Sequence, residues 1–214
     1  DPDGKLVMDP AKYIEKMMNS YEQMFGSKPS GKHQSPLMGN DHPELDDSEF
    51  LDEDGIQKYQ STIGSLQWLI SIGRWDIQTA VMTLSSFRSQ PRIGHLERVK
   101  HIYSYVYKTR HYCLKFRVDE PDVTHFDNKL DINWDTSVYE TSKEPIPPEC
   151  PKELGERVTF IHYFDANLLH DMMSGKSVTR GIHLANMTPI IFHQQVMLQT
   201  LYPNIGVMGQ LKIF

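Results

Sequence analysis

The sequence predicts an α+β protein: a helical bundle followed by a partial β-sheet. Three observations carry this. Apolar residues recur at i, i+3 and i+4 through four segments ahead of residue 110. Beyond residue 157 the period changes to two, in Val158-Thr159-Phe160-Ile161-His162-Tyr163-Phe164. Between the two patterns lies an acidic, proline-rich run centred on Glu144-Pro145-Ile146-Pro147-Pro148-Glu149. The chain therefore divides into a helical unit over 1–118, a linker over 119–157, strands over 158–193 and a tail of unassigned structure over 194–214.

Lys5-Leu6-Val7-Met8 reads as a short strand. Asp9-Pro10 then opens a helix, Asp as N-cap and Pro at the first helical position. Its apolar face is Ile14, Met17, Met18, Tyr21, Met24 and Phe25, and Gly26 ends it. Residues 27–54 are polar, acidic and rich in Pro and Gly, and read as a loop. The next helix aligns Ile56, Tyr59, Ile63, Leu66, Leu69 and Ile70. The third starts near Asp76 with Ile77, Ala80, Val81, Leu84 and Phe87. After Pro91 the fourth presents Leu96, Val99, Ile102, Tyr103 and Val106. Short connections between them favour a bundle. Cys113 to Val118 reads as a strand. Val178 to Leu184 and Pro189 to His193 form a hairpin about the turn Ala185-Asn186-Met187-Thr188.

The 214 residues are 39% hydrophobic and 23% charged, a globular balance that supports a core. The formal charge of −6 argues against a simple basic nucleic-acid-binding protein. The two cysteines, Cys113 and Cys150, make neither a disulfide framework nor a zinc spacing, which points to a reducing interior compartment. No apolar run approaches the roughly 20 residues that span a bilayer. The opening Asp1-Pro2-Asp3-Gly4 suggests a piece of a longer reading frame.

Charge is unevenly spread. From Arg88 to Arg117 lie Arg88, Arg92, Arg98, Lys100, Lys108, Arg110, Lys115 and Arg117, with His95, His101 and His111 among them and Glu97 the lone acid. Such patches bind phosphate backbones because each cation releases condensed counterions. The alternative is a solvated helix face balanced by acidic loops. Ser35 to Asp54 holds Asp41, Glu44, Asp46, Asp47, Glu49, Asp52, Glu53 and Asp54. Leu45-Asp46-Asp47 echoes the aspartate pair of polymerases, but no apolar strands flank it, and a solvated loop is the simpler reading. Asp165, at the end of the strand ending Tyr163-Phe164, is placed to hold a metal, or is an ordinary strand-ending acid. The histidines, among them His162, His170, His183 and His193, show no HxxxH or HExxH spacing.

Tyr59-Gln60-Ser61-Thr62-Ile63-Gly64-Ser65-Leu66-Gln67-Trp68-Leu69 resembles the "Y-x-x-x-I-G-S-L-x-Y-L" segment of copia-type reverse transcriptases. The likeness continues in register. Arg74-Trp75-Asp76-Ile77 stands for "R-P-D-I", Ala80-Val81 for "A-V", and Leu84-Ser85-Ser86-Phe87 for "L-S-R-F". Pro91 and His95 stand for "P-x-x-x-H", and Val99-Lys100-His101-Ile102 with Tyr105-Val106 for "A-K-R-I-L-R-Y-L". Lys12-Tyr13-Ile14-Glu15-Lys16-Met17 and Ser35-Pro36 fit as well. Tyr163-Phe164-Asp165-Ala166-Asn167 resembles the "Y-x-D-A-D" that opens the family's RNase H domain. Lys176-Ser177-Val178-Thr179, Gly181 and Asn186 to Ile190 resemble the motifs after it. The likeness spans roughly residues 5 to 191.

The resemblance implies a piece of a copia-type retrotransposon Pol polyprotein, with thumb/connection-like helices ahead of a truncated RNase H-like sheet. The family's polymerase aspartate pair lies upstream of the matched region. After Asp171 there is no Asp or Glu, so Asp165, the first RNase H carboxylate by resemblance, lacks the partners a two-metal nuclease needs. Trp75, where the family has Pro, and Arg180 before Gly181 are further departures. Residues from about 192 onward are expected to come from a shifted frame or degenerate copy. The expected function is backbone binding of an RNA–DNA hybrid or other nucleic-acid duplex through Arg88, Arg92, His95, Arg98, Lys100, His101, Lys108 and Arg110, without catalysis. The family uses Mg2+; this chain is expected to carry no cofactor. Its expected partners are the duplex and the rest of the polyprotein, with no membrane, inside the cell and, in that family, in a virus-like particle. Two other readings are a helical protein-interaction module and a metal-dependent hydrolase using Asp165.

Overall fold

The computed structural model describes residues 6–117, 158–167 and 177–197, with positions 119, 149 and 173. The linker therefore lies almost wholly outside the described residues, as does the tail beyond 197.

Asp9 starts the first helix. Its Oδ1 accepts the Ala11 N–H at 2.9 Å, and the Pro10 carbonyl accepts from Tyr13 and Ile14. Helix α1 runs Ala11–Phe25 and stops at Gly26, whose φ of 76° lets its N–H turn back to Glu22 O at 2.8 Å. The face predicted for burial is the one that is buried: Ile14, Met17, Met18 and Tyr21. Helix α2, Glu53–Ser71, is capped by Asp52, whose Oδ1 accepts the Gly55 N–H at 2.8 Å. A 3-10 turn, Trp75–Ile77, leads into the short α3, Gln78–Ser85, and α4 follows as Ile93–Lys108.

The four helices close over one core containing Tyr59, Ile63, Leu66, Leu69, Ile77, Val81, Leu84, Val99, Ile102 and Val106, all buried. Each such aliphatic side chain contributes roughly 1.5–3 kcal/mol by leaving water. The buried tyrosines keep their hydroxyls bonded, Tyr59 to Leu84 O at 2.7 Å and Tyr103 to Thr62 O at 3.4 Å. Arg74 is buried as deeply as the aliphatics, at 1% exposure. Its guanidinium forks onto both Asp76 carboxylate oxygens and onto the Thr109 carbonyl and hydroxyl, so it ties the α2–α3 corner to the end of α4.

Strand β1, Val7–Met8, pairs antiparallel with β2, Leu114–Lys115, and joins the two ends of the helical unit. The other sheet is an antiparallel meander of β3 (Phe160–Asn167), β4 (Ser177–Ala185) and β5 (Thr188–Met197). Asn186 turns the β4–β5 hairpin at φ 51°, a left-handed conformation that Asn tolerates. Its Oδ1 accepts the Thr159 N–H at 2.8 Å. Thr188 Oγ1 accepts from the Arg117 N–H and donates to the Arg117 carbonyl, linking hairpin to helical unit. The protein is thus α+β, as expected. Strands β3 and β5 run past the expected boundaries of Phe164 and His193, so residues 194–197 belong to the sheet. Among the described residues, no helix is long and apolar enough to cross a membrane.

Candidate nucleic-acid interface

Helix α4 carries most of the predicted basic residues, and its first turn poses a problem. Arg92 occupies the N-cap position, where an arginine offers no oxygen to the exposed backbone N–H groups. The missing acceptors come from residues 27–52. This segment crosses α4 as a strap, antiparallel to it. Ser30 and Lys32 meet Ser104, with the Lys32 N–H bonded to Ser104 Oγ at 3.1 Å. The His33 ring stacks on His101 at 3.6 Å, and His101 Nε2 bonds to Ser35 O at 2.9 Å. Asp41 reaches Arg98, and the Pro43 carbonyl reaches His95 at 2.9 Å. At the helix start, Ser48 Oγ accepts the Gly94 N–H at 2.8 Å and Glu49 O accepts the Ile93 N–H at 2.9 Å. The strap is the cap that α4 lacks in its own sequence.

Histidine 95 completes that cap from inside the helix. Its Nδ1 accepts the Arg92 N–H at 3.0 Å, so its proton sits on Nε2 and is donated to Pro43 O. At 3% exposure the ring is part of the fold. Burial lowers its pKa below the usual histidine value, against the opposing pull of the Pro43 carbonyl. Arg98 holds Asp41 through both carboxylate oxygens, Nε to Oδ2 at 2.9 Å and Nη2 to Oδ1 at 2.8 Å, and Asp46 through Nη1. Hydrogen bonding to Asp41 raises the guanidinium's pKa further above its ordinary value, overcoming its burial. Burial pushes Asp46 up, but bonds from Ser48 and Arg98 outweigh it and leave the carboxyl below its usual range. Asp46 also sits against Gly94 in the first turn of α4, where the helix dipole favours an anion.

The segment read as a solvated acidic loop is therefore a docked element. Asp41 and Asp46 meet Arg98, 57 and 52 residues away, and Leu37 and Leu51 pack against the core. Four of the eight residues predicted for the interface lie under it. Arg92 donates to Ser48 O and lays its guanidinium 3.9 Å over the Phe50 ring. His95, Arg98 and His101 are held as described. Arg88 donates to Gln67 Oε1, while its buried Nε has no hydrogen-bond partner.

Three predicted cations lie beyond the strap's bonds. Lys100 pairs with Glu97 at 2.7 Å and sits 5.2 Å over the Phe25 ring. Lys108, half-buried, stands in the last turn of α4. Arg110 is exposed, donates to Tyr107 O at 3.0 Å and covers the Tyr107 ring at 5.2 Å. Among the described residues, neither Lys108 nor Arg110 is ion-paired. Arg110, Tyr107, His111 and Lys28 line a cleft beside α1 that Asp9 and Glu15 also reach.

Asp165 lies within β3 rather than at its end, exposed and opposite Arg180 of β4. Among the described residues, no three His, Cys, Asp or Glu side chains come together as a metal-binding group. The sequence reading missed Asp41, Asp46 and Ser48 as structural partners of α4. The one signal for them was Arg92, a poor N-cap ahead of a strong helix, which requires a cap from elsewhere.

The fold and interface together define an α+β protein whose basic helix lies under an acidic strap. A stretch of 82 residues, 38% of this chain, is 39% identical to a Ty5-1 transposon protein of Saccharomyces cerevisiae. The chain is thus related in part to a transposon protein. The match spans 24% of that relative's length. No family model and no solved structure matches the chain.

Proposed function

We propose that this chain is part of a copia-type retrotransposon reverse transcriptase/RNase H polyprotein, and that its helical unit grips the backbone of an RNA–DNA template–primer duplex without polymerase or RNase H catalysis of its own. The motif series from Tyr59 to Val106 and the Ty5-1 relative support the family. The observation that carries the binding reading is the end of the basic run, where, among the described residues, Lys108 and Arg110 make no ion pair and Arg110 covers the Tyr107 ring. Arg and Lys there would meet phosphates, so binding is sequence-tolerant and falls steeply with salt. Mg2+ serves the family's chemistry; the binding proposed here needs none.

The test is binding of the chain to an RNA–DNA hybrid across a salt series, with Mg2+ present and cleavage followed in the same tubes. Steep salt dependence without cleavage supports the reading. Lys108→Gln and Arg110→Gln should each reduce the slope of log K against log salt by about one. Absence of binding at low salt, or reproducible cleavage, refutes it. The strap favours one second reading. With Arg92 and Arg98 engaged internally, the helical unit could be a protein-interaction module, for which salt-insensitive binding of a protein would be the evidence.

A further inference from the structure

The β-sheet brings together two imidazoles that the sequence spacing does not connect. In the β3–β4 register, His162 stands directly opposite His183. Opposed residues of an antiparallel pair share a face, with Cβ atoms about 4.5–5.5 Å apart. The ring centroids are 4.6 Å apart with planes at 72°, and the two Nδ1 atoms face each other within hydrogen-bond reach. Both residues are half-buried. Phe164 walls one side, 5.3 Å from the His183 ring and 6.3 Å from that of His162. Opposite Phe164 is Gly181, which adds no side chain to that row.

We propose that His162 and His183 form a binding site for one divalent transition-metal ion of the class that prefers imidazole nitrogen, Cu2+, Ni2+ or Zn2+. Imidazole suits these ions, whereas Mg2+ requires oxygen. The site is therefore distinct in chemistry from the Mg2+ of the resembled family, and it does not rest on the duplex reading. In the neutral pair one Nδ1 carries a proton and the other accepts it. An ion takes both Nδ1 lone pairs, so the donor ring moves its proton to Nε2 and no net proton is released. A modest rotation about each side chain opens the nitrogens to ligand spacing, while the paired strands keep the two backbones in place, so little ordering is left to pay for. Among the described residues no third His, Cys, Asp or Glu joins the pair, so the site proposed is a two-imidazole one. Such an open site differs from a closed structural zinc.

The other close imidazole pair makes the contrast. His33 and His101 stack nearly flat at 3.6 Å and 23°, and His101 Nε2 is committed to Ser35 O. Stacked rings direct their lone pairs side by side rather than at one point.

The test is titration of the full chain with Cu2+, followed by calorimetry and by electron paramagnetic resonance. One saturable equivalent with hyperfine coupling from two imidazole nitrogens is expected. It should be lost in His162→Gln and in His183→Gln, and retained in His33→Gln. An equivalent that survives both sheet variants, that disappears in His33→Gln, or that never saturates overturns the proposal. Should the sheet variants misfold, as far-UV circular dichroism would reveal, Zn2+ titration of the unsubstituted chain by NMR decides. The ring signals of His162 and His183 must shift first; earlier movement of any other histidine overturns the assignment.

Discussion

Replacing Gly94 by alanine should destabilise this protein, against the usual sign for a helical glycine. In an exposed helix interior the change gains about 1 kcal/mol. Here a Cβ would overlap Asp46 Oδ2 and lie 2.6 Å from Asp46 Cγ. Asp46 has little freedom to yield, because Ser48 and Arg98 both hold its carboxylate. Its side chain is 9% exposed and that of Arg98 23%. A hydrogen bond to a charged group contributes about 1.5–3 kcal/mol, and the exposed part of Arg98 places this one toward the lower end. Displacing Asp46 also removes an anion from the positive end of α4, about 0.3–1 kcal/mol. Against the propensity gain, the net loss is about 1–2 kcal/mol. Urea denaturation should show a lower midpoint at unchanged slope. A double-mutant cycle isolates the cause: in an Asp46→Ala background, Gly94→Ala should be neutral or stabilising. If Gly94→Ala alone matches or exceeds the parent in stability, the docked strap is not where the structure has it.

Ser48→Ala removes the acceptor of the Gly94 N–H and a donor to Asp46, and should cost about 1–2 kcal/mol in the same assay. Arg74→Ala strips the fork that joins Asp76 to Thr109 and should cost about 3 kcal/mol; Arg74→Lys keeps the charge without the fork and should recover only part. Acid should destabilise the protein in two steps. The folded pKa of His95 lies below its unfolded value of about 6.5, so the unfolded chain takes the proton first and stability falls as pH drops below about 6.5. Asp46 contributes fully above about pH 4 and loses its contribution as pH falls through its depressed value. Urea midpoints from pH 8 to 3 read both steps, and His95→Gln should flatten the upper one.

The helices were legible because each is specified locally. Ile14, Met17, Met18 and Tyr21 repeat at helical spacing, and Gly26 supplies the one backbone conformation that ends α1 cleanly. The hairpin was legible for the same reason, with Asn186 at the turn. The strap was not, because its meaning lies in contacts such as Asp41 with Arg98, 57 residues apart. Composition reports a run of acids and says nothing of Arg98, which Asp41 and Asp46 both meet. The burial of Arg74 was not legible either. An arginine at a helix corner reads as surface, and only the convergence of Asp76 and Thr109 makes its burial affordable. Asp165 read as a strand end because the apolar alternation stops at Phe164, yet its backbone continues to pair as far as Asn167.

The strap also decides which basic residues can serve a duplex. To offer Arg98 to a phosphate, the protein must give up two carboxylates, one of them bound through both oxygens. It must also release the caps on the Ile93 and Gly94 N–H groups, about 1 kcal/mol each. A phosphate returns one charge-assisted contact in exchange, so the trade is unfavourable. Lys108 and Arg110, which make no ion pair among the described residues, lose none of those described on meeting a phosphate. Arg98→Ala should therefore lower stability while leaving the affinity of the folded fraction for an RNA–DNA hybrid nearly unchanged, and Arg110→Gln should do the reverse. Affinity measured well below the unfolding midpoint separates the two. A loss of affinity in Arg98→Ala as large as that in Arg110→Gln, with folding intact, would mean that the strap opens to let the duplex in.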